Sequence, residues 1–312
     1  MQDMTFFDLW CQEYNNYLMI RLKKQSYRKI NSNFQLHILP FFKDYKLKDI
    51  NSKVYLEWMN KIKEKGFKNS YNANLHTTMV GILNYVVKFD YIDTNVASKI
   101  GGFSKKKNEV KNIDFWTLEE YRQFISVVDD DLYKLLFNTL FFTGLRVGEC
   151  LALTWNDFKY NYLDINKTIS KEKDKNNNYI INSPKTPTSI RKIRIDDELI
   201  ELFSKLYESQ KQLSNFNNSW FIFGGIKPIT HTTLTRRKDK YCEIAKVKKI
   251  RLHDFRHSHA TLLVSKSVPI TVISQRLGHS DTNMTLNTYS HLVLTDIDKA
   301  VDMINTIKLT NC

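Results

Sequence analysis

Four side chains that could do chemistry lie near the C-terminal end of the chain. His253 and Arg256 belong to LHDFRHSHATLLV, His279 to LGHS and Tyr289 to NTYSHL. His253 and Arg256 are three residues apart at the start of a predicted helix, so both project from one face and can bind one anion. Imidazole, guanidinium and phenol groups together suit the attack of an oxygen nucleophile on a phosphodiester.

Two basic residues upstream extend this set. Arg146 falls in the first turn of the helix predicted for LRVGECLALTWNDF, where exposed backbone amides already favour an anion. Lys185 lies at a turn between two predicted strands, from which one ammonium can enter a groove near a cleaved bond. The alternatives stay open: Arg146 can form a surface pair with Glu149 that contributes little to stability, and a hairpin-tip lysine is usually without a role.

Helix signals predict the elements that position these residues. Pro269 suits the first turn of the helix PITVISQRL, and Gly278 suits its left-handed end, so His279 lies at a helix end. Asp281 or Thr282 can cap one more short helix, which precedes Tyr289. We therefore expect the tyrosine to move on a local element.

A zinc site is the alternative for the histidine cluster. His253, His257 and His259 are close in sequence, but no cysteine or carboxylate pair completes a known ligand spacing. We expect no metal at this site.

The composition predicts an anionic partner and two domains. The chain has 312 residues, with 47 basic and 33 acidic side chains and a formal charge of +14. This length favours two domains, and the charge favours nucleic acid or an acidic membrane. The four cysteines are scattered, which is typical of reduced intracellular thiols. Neither a signal peptide nor a membrane-spanning run is visible, so we expect a soluble cytoplasmic protein.

The predicted fold is mainly α. Residues 1–104 contain four amphipathic helices and form a helical DNA-binding domain, and the polar, basic segment 105–112 is a linker. Residues 113–312 contain helices and three strand-like runs, YLDINKTIS, NYIINSPK and RKIRI, which predict a small antiparallel sheet. An apolar stripe predicts a C-terminal helix over 296–308, which packs on its own domain or on a neighbouring subunit.

Clusters of basic residues are the candidates for DNA-backbone contacts. Singly, such charges are usually a solvated helix face. Clusters on a small helical module favour sequence-independent binding to phosphates. The candidates are Lys23, Lys24, Arg28, Lys29, Lys105, Lys106, Lys107, Arg236 and Arg237.

The motifs TGLRVGE, KTPTSIRKI, LHDFRHSHAT, LGHS and NTYSHL, in this order, resemble the tyrosine recombinase (phage integrase) family. The resemblance covers residues 113 to about 295, and within the family the chain is most similar to integrases of prophages and conjugative transposons. It implies a SAM-like core-binding domain ahead of an α-rich catalytic domain, with Glu149 supporting the site. It also implies the catalytic residues Arg146, Lys185, His253, Arg256, His279 and the nucleophile Tyr289.

The resemblance implies site-specific recombination. Tyr289 would form a covalent 3′-phosphotyrosine with double-stranded attachment-site DNA, and a homotetramer would exchange strands through a Holliday junction without a cofactor. The helix at 296–308 would then dock on a neighbouring protomer. Accessory directionality factors and host DNA-bending factors are further expected partners, and the location would be the cytoplasmic nucleoid.

Two rivals share much of this pattern. A type IB topoisomerase uses nearly the same chemistry but needs no second site, so relaxation of a plasmid that lacks the attachment site separates the two. A catalytically silent DNA-binding protein is the rival from another class, and covalent trapping on DNA separates it.

Overall fold

The computed structural model describes residues 4–103, 114–173, 179–183 and 187–293. The chain divides into two compact units, Met1–Val110 and Lys111–Cys312. The predicted linker 105–112, Lys185 and the predicted helix 296–308 lie outside the described residues. None of the helices in the described ranges is long and apolar enough to cross a lipid bilayer.

The described part of the first unit is helical. Its helices are α1 (Phe6–Leu9), α2 (Asn15–Arg21), α3 (Lys24–Asn33), α4 (Leu39–Phe42), α5 (Ser52–Glu64), α6 (Asn69–Lys88) and α7 (Val96–Ile100). The π-helical turns Trp10–Tyr14 and Phe34–Ile38 join α1 to α2 and α3 to α4. The core is aromatic, and the rings of Trp10 and Phe34 stack with centroids 3.5 Å apart. The side chain of Asn51 caps α5 by accepting hydrogen bonds from the amides of Lys53 and Val54.

The second unit packs helices around small sheets. Its helices are α8 (Leu118–Ser126), α9 (Asp131–Thr143), α10 (Val147–Ala152), α11 (Asp197–Lys211), α12 (His231–Ala245), α13 (Asp254–Ser265), α14 (Ile270–Leu277) and α15 (Thr282–Val293). A capping box of Thr117 and Glu120 begins α8. Phe141 of α9 stacks on Tyr121 of α8 at 3.7 Å, so the helix that leads to Arg146 is fixed in the core.

In the described part of the second unit, five short strands form two antiparallel sheets. They are β1 (Phe158–Lys159), β2 (Tyr162–Ile165), β3 (Thr168–Lys173), β4 (Tyr179–Asn182) and β5 (Arg191–Arg194). The first sheet has the order β1-β2-β5, with Leu163 opposite Ile193, and the second is the pair β3-β4. The prediction of a mainly α chain with a small antiparallel sheet is confirmed.

One predicted helix is shorter in the structure. The segment LRVGECLALTWNDF was predicted as helical throughout, but α10 ends at Ala152 and Leu153 is extended. The Asp157 carboxylate then accepts hydrogen bonds from the backbone amide and hydroxyl of Thr154, at 2.8 and 2.7 Å. This local cap closes a 3₁₀ turn over Trp155–Asp157 and sends the chain into β1, because a side-chain acceptor competes with the helical ladder.

Candidate active site

Arg256 lies where two helices end. Its Nη1 donates to the carbonyl of Gly144, just past α9, at 3.0 Å, and its Nη2 donates to the carbonyl of Leu277, the last residue of α14, at 2.7 Å. Carbonyls at helix C-termini carry partial negative charge, so both bonds are favourable for a cation. The residue is 3% exposed. The guanidinium is therefore held in one orientation before any ligand arrives.

Glycines make this meeting of helix ends possible. Gly144 has a φ of 65° and Gly278 a φ of 69°, the left-handed conformation that ends a helix. A Cβ at position 144 would lie 2.5 Å from Cδ2 of His259 and 2.8 Å from a methyl group of Leu277. Position 144 therefore requires glycine for its backbone conformation and for its close contact with α13 and α14.

Glu149 binds two arginines. Its Oε1 accepts from Nη1 of Arg146 at 2.8 Å, and its Oε2 accepts from the backbone amide of Arg146 at 3.0 Å. Oε2 also accepts from Nη2 of Arg191 at 3.0 Å. Burial alone would raise the pKa of Glu149, but the hydrogen bonds and charges of both arginines outweigh burial and lower it. Glu149 is thus an anion that positions Arg146.

The pairing of Arg146 with Glu149 differs from an ordinary surface pair. The Arg146 side chain is 37% exposed, whereas that of Glu149 is 4% exposed. One end of the pair is therefore fixed in the interior while the guanidinium remains accessible to an anion. Arg191 stands in the KTPTSIRKI motif but was not predicted as part of the site.

His253 and His279 share the electrostatic field of the two arginines. The pKa of His253 is lowered to about 4, although the residue itself remains exposed. The largest cause is the loss of surrounding water, followed by the charges of His257, Arg256 and Arg146. Burial, followed by the charges of Arg256 and Arg146, lowers the pKa of His279 to about 4. Both imidazoles are therefore neutral at pH 7. The same two charges act on both rings, so these four residues surround one pocket.

Thr285 fixes the orientation of His279. Its Oγ1 lies 2.7 Å from Nδ1 of His279, and Thr285 is fully buried on α15. Asp281 accepts a hydrogen bond from the amide of Asn283 at 2.9 Å, so the first of the two caps predicted for this helix is present. The helix that carries the tyrosine thus also holds an imidazole of the pocket.

Tyr289 lies on α15 among apolar side chains of α13 and α14. It is 3% exposed and packs in a cluster with Ala260, Val264, Ile273 and Leu277. Its hydroxyl is 2.7 Å from Nδ1 of His257. Burial raises the pKa of Tyr289 well above its ordinary value, and the charge of Arg256 opposes that rise. The phenol is therefore protonated at pH 7 and requires a proton acceptor to become a nucleophile.

The remaining histidine of the predicted cluster has a structural role. Nδ1 of His259 lies 2.9 Å from the carbonyl of Phe141, and Nε2 accepts from Nε of Arg276 at 3.2 Å. A carbonyl only accepts, so Nδ1 carries the proton and both ring nitrogens are engaged. Within the described ranges, no three His, Cys, Asp or Glu side chains are grouped so that they could hold a metal ion.

An open groove with a volume of about 1150 Å³ includes Arg146 and His253 in its lining. Lys173 of β3, together with Lys249 and Arg251 of the loop before α13, adds basic side chains. The Arg251 guanidinium is paired with Asp254 at 2.8 Å. The groove thus meets the pocket at Arg146 and His253, and most of the charged side chains that line it are basic.

The other residues predicted to contact DNA lie outside this groove or outside the described residues. Lys23, Lys24, Arg28 and Lys29 are exposed around the start of α3, in the first unit. Arg236 and Arg237 are exposed on α12 but do not line the groove, and the Arg237 guanidinium lies 5.3 Å from the centroid of the Tyr133 ring. The segment with Lys105, Lys106 and Lys107 is outside the described residues.

Comparison with known proteins agrees with this arrangement. Residues 115–294 match the model of the phage integrase family, and residues 5–63 match that of the phage integrase N-terminal SAM-like domain. The ICEBs1 integrase of Bacillus subtilis (strain 168) is 30% identical over 266 residues, which cover 82% of this chain and 71% of that protein.

Solved structures show the same fold. The Tn1549 transposon integrase in complex with transposon right end DNA superposes with a TM-score of 0.78 at 19% identity, covering 97% of this chain and 100% of that one. A lambda integrase tetramer bound to a Holliday junction superposes with a TM-score of 0.65 at 18% identity, covering 92% and 77%. The chain therefore belongs to the phage integrase family, and it is a site-specific tyrosine recombinase of the type that mobile elements carry.

Proposed function

We propose that this recombinase cuts attachment-site DNA with Tyr289 as its nucleophile and joins the strands again without a cofactor. The phenolic oxygen attacks the scissile phosphate, a 3′-phosphotyrosine forms and a 5′ hydroxyl leaves. The observation that carries this proposal is the field of Arg256, whose charge acts on His253, His279 and Tyr289 alike. A phosphate placed among these groups would meet fixed positive charge beside the attacking oxygen.

Arg146 and Arg256 stabilise the charge that builds on the nonbridging oxygens. Guanidinium groups offer planar pairs of donors, and charge-assisted bonds of this kind are the strong ones. Arg256 is already fixed by two backbone carbonyls, and Arg146 is oriented by Glu149. Little rearrangement is needed when charge develops, which is the condition for effective electrostatic catalysis.

His253 and His279 act in their neutral form. A neutral ring can donate one hydrogen bond to a phosphate oxygen, and because Thr285 contacts His279 at Nδ1, Nε2 remains for that purpose. The two rings thus supply directed hydrogen bonds without adding charge to a pocket that already holds two arginines.

Lys185 is the proposed acid that protonates the leaving 5′ oxygen. It belongs to the segment between β4 and β5, and Arg191 of β5 anchors the end of that segment through Glu149 and the carbonyl of Arg276, at 3.0 and 2.8 Å. An ammonium supplied from such a segment would reach the leaving group as DNA fills the groove.

Double-stranded DNA is the proposed substrate, because the groove is basic beside the pocket. The Tn1549 relative is seen with transposon end DNA, and the lambda integrase forms a tetramer on a Holliday junction. We extend both properties to this chain, together with docking of residues 296–308 on a neighbouring protomer. We also propose that accessory directionality factors and DNA-bending factors act with this protein, and that it resides on the nucleoid.

A nicked suicide substrate tests the nucleophile. Tyr289→Phe should bind and assemble on DNA but form no covalent adduct, whereas the exposed Tyr160→Phe should form adduct at the native rate. Denaturing electrophoresis separates the adduct from free DNA. An adduct that survives in Tyr289→Phe would show that another residue attacks.

A further inference from the structure

His257 is the imidazole in contact with the attacking oxygen. Its Nδ1 lies 2.7 Å from the Tyr289 hydroxyl, and the ring centroids are 6.0 Å apart. His257 is one helical turn beyond His253, and those two rings are 5.2 Å apart at 85°. It therefore lies between the tyrosine and an imidazole of the phosphate pocket.

His279 and His259, two other histidines of the second unit, have different partners. Nδ1 of His279 is bound to Thr285, and both nitrogens of His259 are engaged by Phe141 and Arg276. Among the described residues, His257 is the histidine with a ring nitrogen within hydrogen-bonding distance of the phenol.

The buried phenol needs such a partner. Attack requires the phenolic proton to leave, and burial raises the pKa of Tyr289, so bulk water is a poor acceptor. A general base must lie within hydrogen-bonding distance of the proton it removes and must be uncharged at the working pH. The observed distance meets the first condition.

The surroundings of His257 meet the second condition. Burial lowers its pKa below the ordinary 6.5, Asp254 opposes this change, and Arg251 and Arg256 reinforce it. His253 faces it from the same helix and Tyr289 from α15. The ring is therefore neutral at pH 7, and with its proton on Nε2 it accepts at Nδ1.

We propose that His257 is the general base of strand cleavage, a role that rests on Tyr289 being the nucleophile. As the bond from the phenolic oxygen to phosphorus forms, the phenolic proton passes to Nδ1 of His257. The bond from phosphorus to the 5′ oxygen breaks, and that oxygen takes a proton from the leaving-group acid. In rejoining, the 5′ hydroxyl attacks, His257 returns its proton to the tyrosine and the acid is restored.

His257→Asn separates basicity from positioning. The asparagine amide oxygen reaches nearly the same place as Nδ1 and still accepts a hydrogen bond from the phenol, but it takes no proton at neutral pH. Loss of a general base typically lowers a rate by roughly 10²–10⁴-fold, so we expect single-turnover adduct formation to fall by about that factor. The native rate should decline in acid with an apparent pKa below 6.5. Above that pKa the native rate should level off, whereas the variant should show no plateau and should keep rising as the pH increases.

Chemical rescue gives a readout that a structural role would not produce. His257→Ala leaves space beside the phenol, and added imidazole should restore part of the adduct rate. Imidazoles of higher pKa should rescue more strongly. Imidazole should leave the native rate unchanged and should produce no adduct in Tyr289→Phe. DNA affinity, measured by mobility shift, should match the native protein in both His257 variants.

Three results would overturn the proposal. One is a His257→Asn variant that keeps the rate and the pH profile of the native protein, which would mean that the contact only positions the tyrosine. Another is faster adduct formation in His257→Ala, which would mean that the contact restrains the tyrosine. The third is a slow His257→Ala that imidazole does not restore. If the native protein itself formed no adduct, or if Tyr289→Phe did, the nucleophile assignment would fail instead.

Discussion

Arg191 and Glu149 form an ion pair in the interior of the second unit, with Nη2 of Arg191 3.0 Å from Oε2 of Glu149 and side-chain exposures of 8% and 4%. The same carboxylate orients Arg146 at 2.8 Å. One buried acid therefore ties the strand that follows the Lys185 segment to the start of α10. Its removal should affect stability as well as catalysis.

Glu149→Ala should strongly destabilise the second unit. The change leaves the largely buried guanidinium of Arg191 without its anion, and breaking a buried pair by removal of one partner costs about 3–5 kcal/mol. Denaturant unfolding measures the change in the free energy of unfolding. Glu201→Ala, which removes an exposed acid on α11, is the control and should change it by less than about 0.5 kcal/mol. Equal effects of the two substitutions would contradict a supporting role for Glu149.

Local signals in the sequence predicted much of what surrounds the pocket. The left-handed helix end at Gly278 and the cap at Asp281 are confirmed, because each depends on residues a few positions apart. The fold class is confirmed for the same reason, since helical periodicity and strand runs are local patterns.

Contacts made by tertiary packing could not be predicted in this way. Arg191 meets Glu149 across 42 positions, and His257 meets Tyr289 across 32. Neither pair has a spacing signal, because helix packing and strand register bring the partners together. His257 was considered only as a zinc ligand, since a sequence does not show which way a ring nitrogen points. The early end of α10 is a different case, because Thr154 and Asp157 form a local capping box three positions apart that was not recognised in the sequence.

Gly144→Ala tests the close contact that shapes the Arg256 site. A left-handed conformation costs a residue with a Cβ roughly 1–2 kcal/mol. The new methyl group would also meet His259 and Leu277, and overpacking adds typically about 1–3 kcal/mol. Gly225→Ala is matched, with a φ of 79° and only an ordinary contact with Trp220 at 3.6 Å. We expect Gly144→Ala to lower the free energy of unfolding by more than the control and to slow adduct formation.

The state of His259 predicts a pH dependence of stability. Burial, followed by Arg276, lowers its pKa to about 3 in the folded chain, whereas the unfolded chain has an ordinary value of 6.5. Between these values the unfolded chain binds the extra proton, so stability is full above pH 6.5 and falls as the pH decreases towards 3. One such proton contributes a slope of at most about 1.4 kcal/mol per pH unit.

His259→Gln should remove this contribution. The free energy of unfolding, measured at several pH values from neutral down to about 5, should fall less steeply than in the native protein. The variant is expected to be less stable at pH 7, because it loses the bond to Phe141, so the slope is the informative quantity. An unchanged slope would mean that His259 is not held neutral.

Lys185→Ala tests the leaving-group acid. Without an ammonium to protonate the 5′ oxygen, adduct formation should fall by roughly 10²–10⁴-fold, the usual contribution of a general acid. A substrate with sulfur in place of that oxygen has a better leaving group and should restore most of the rate.

Arg256→Lys is the matched control: it keeps a positive charge but cannot bridge the carbonyls of Gly144 and Leu277. Its defect lies in stabilising the nonbridging oxygens, so sulfur should not restore it. Rescue of both variants, or of neither, would assign the leaving-group proton to another residue.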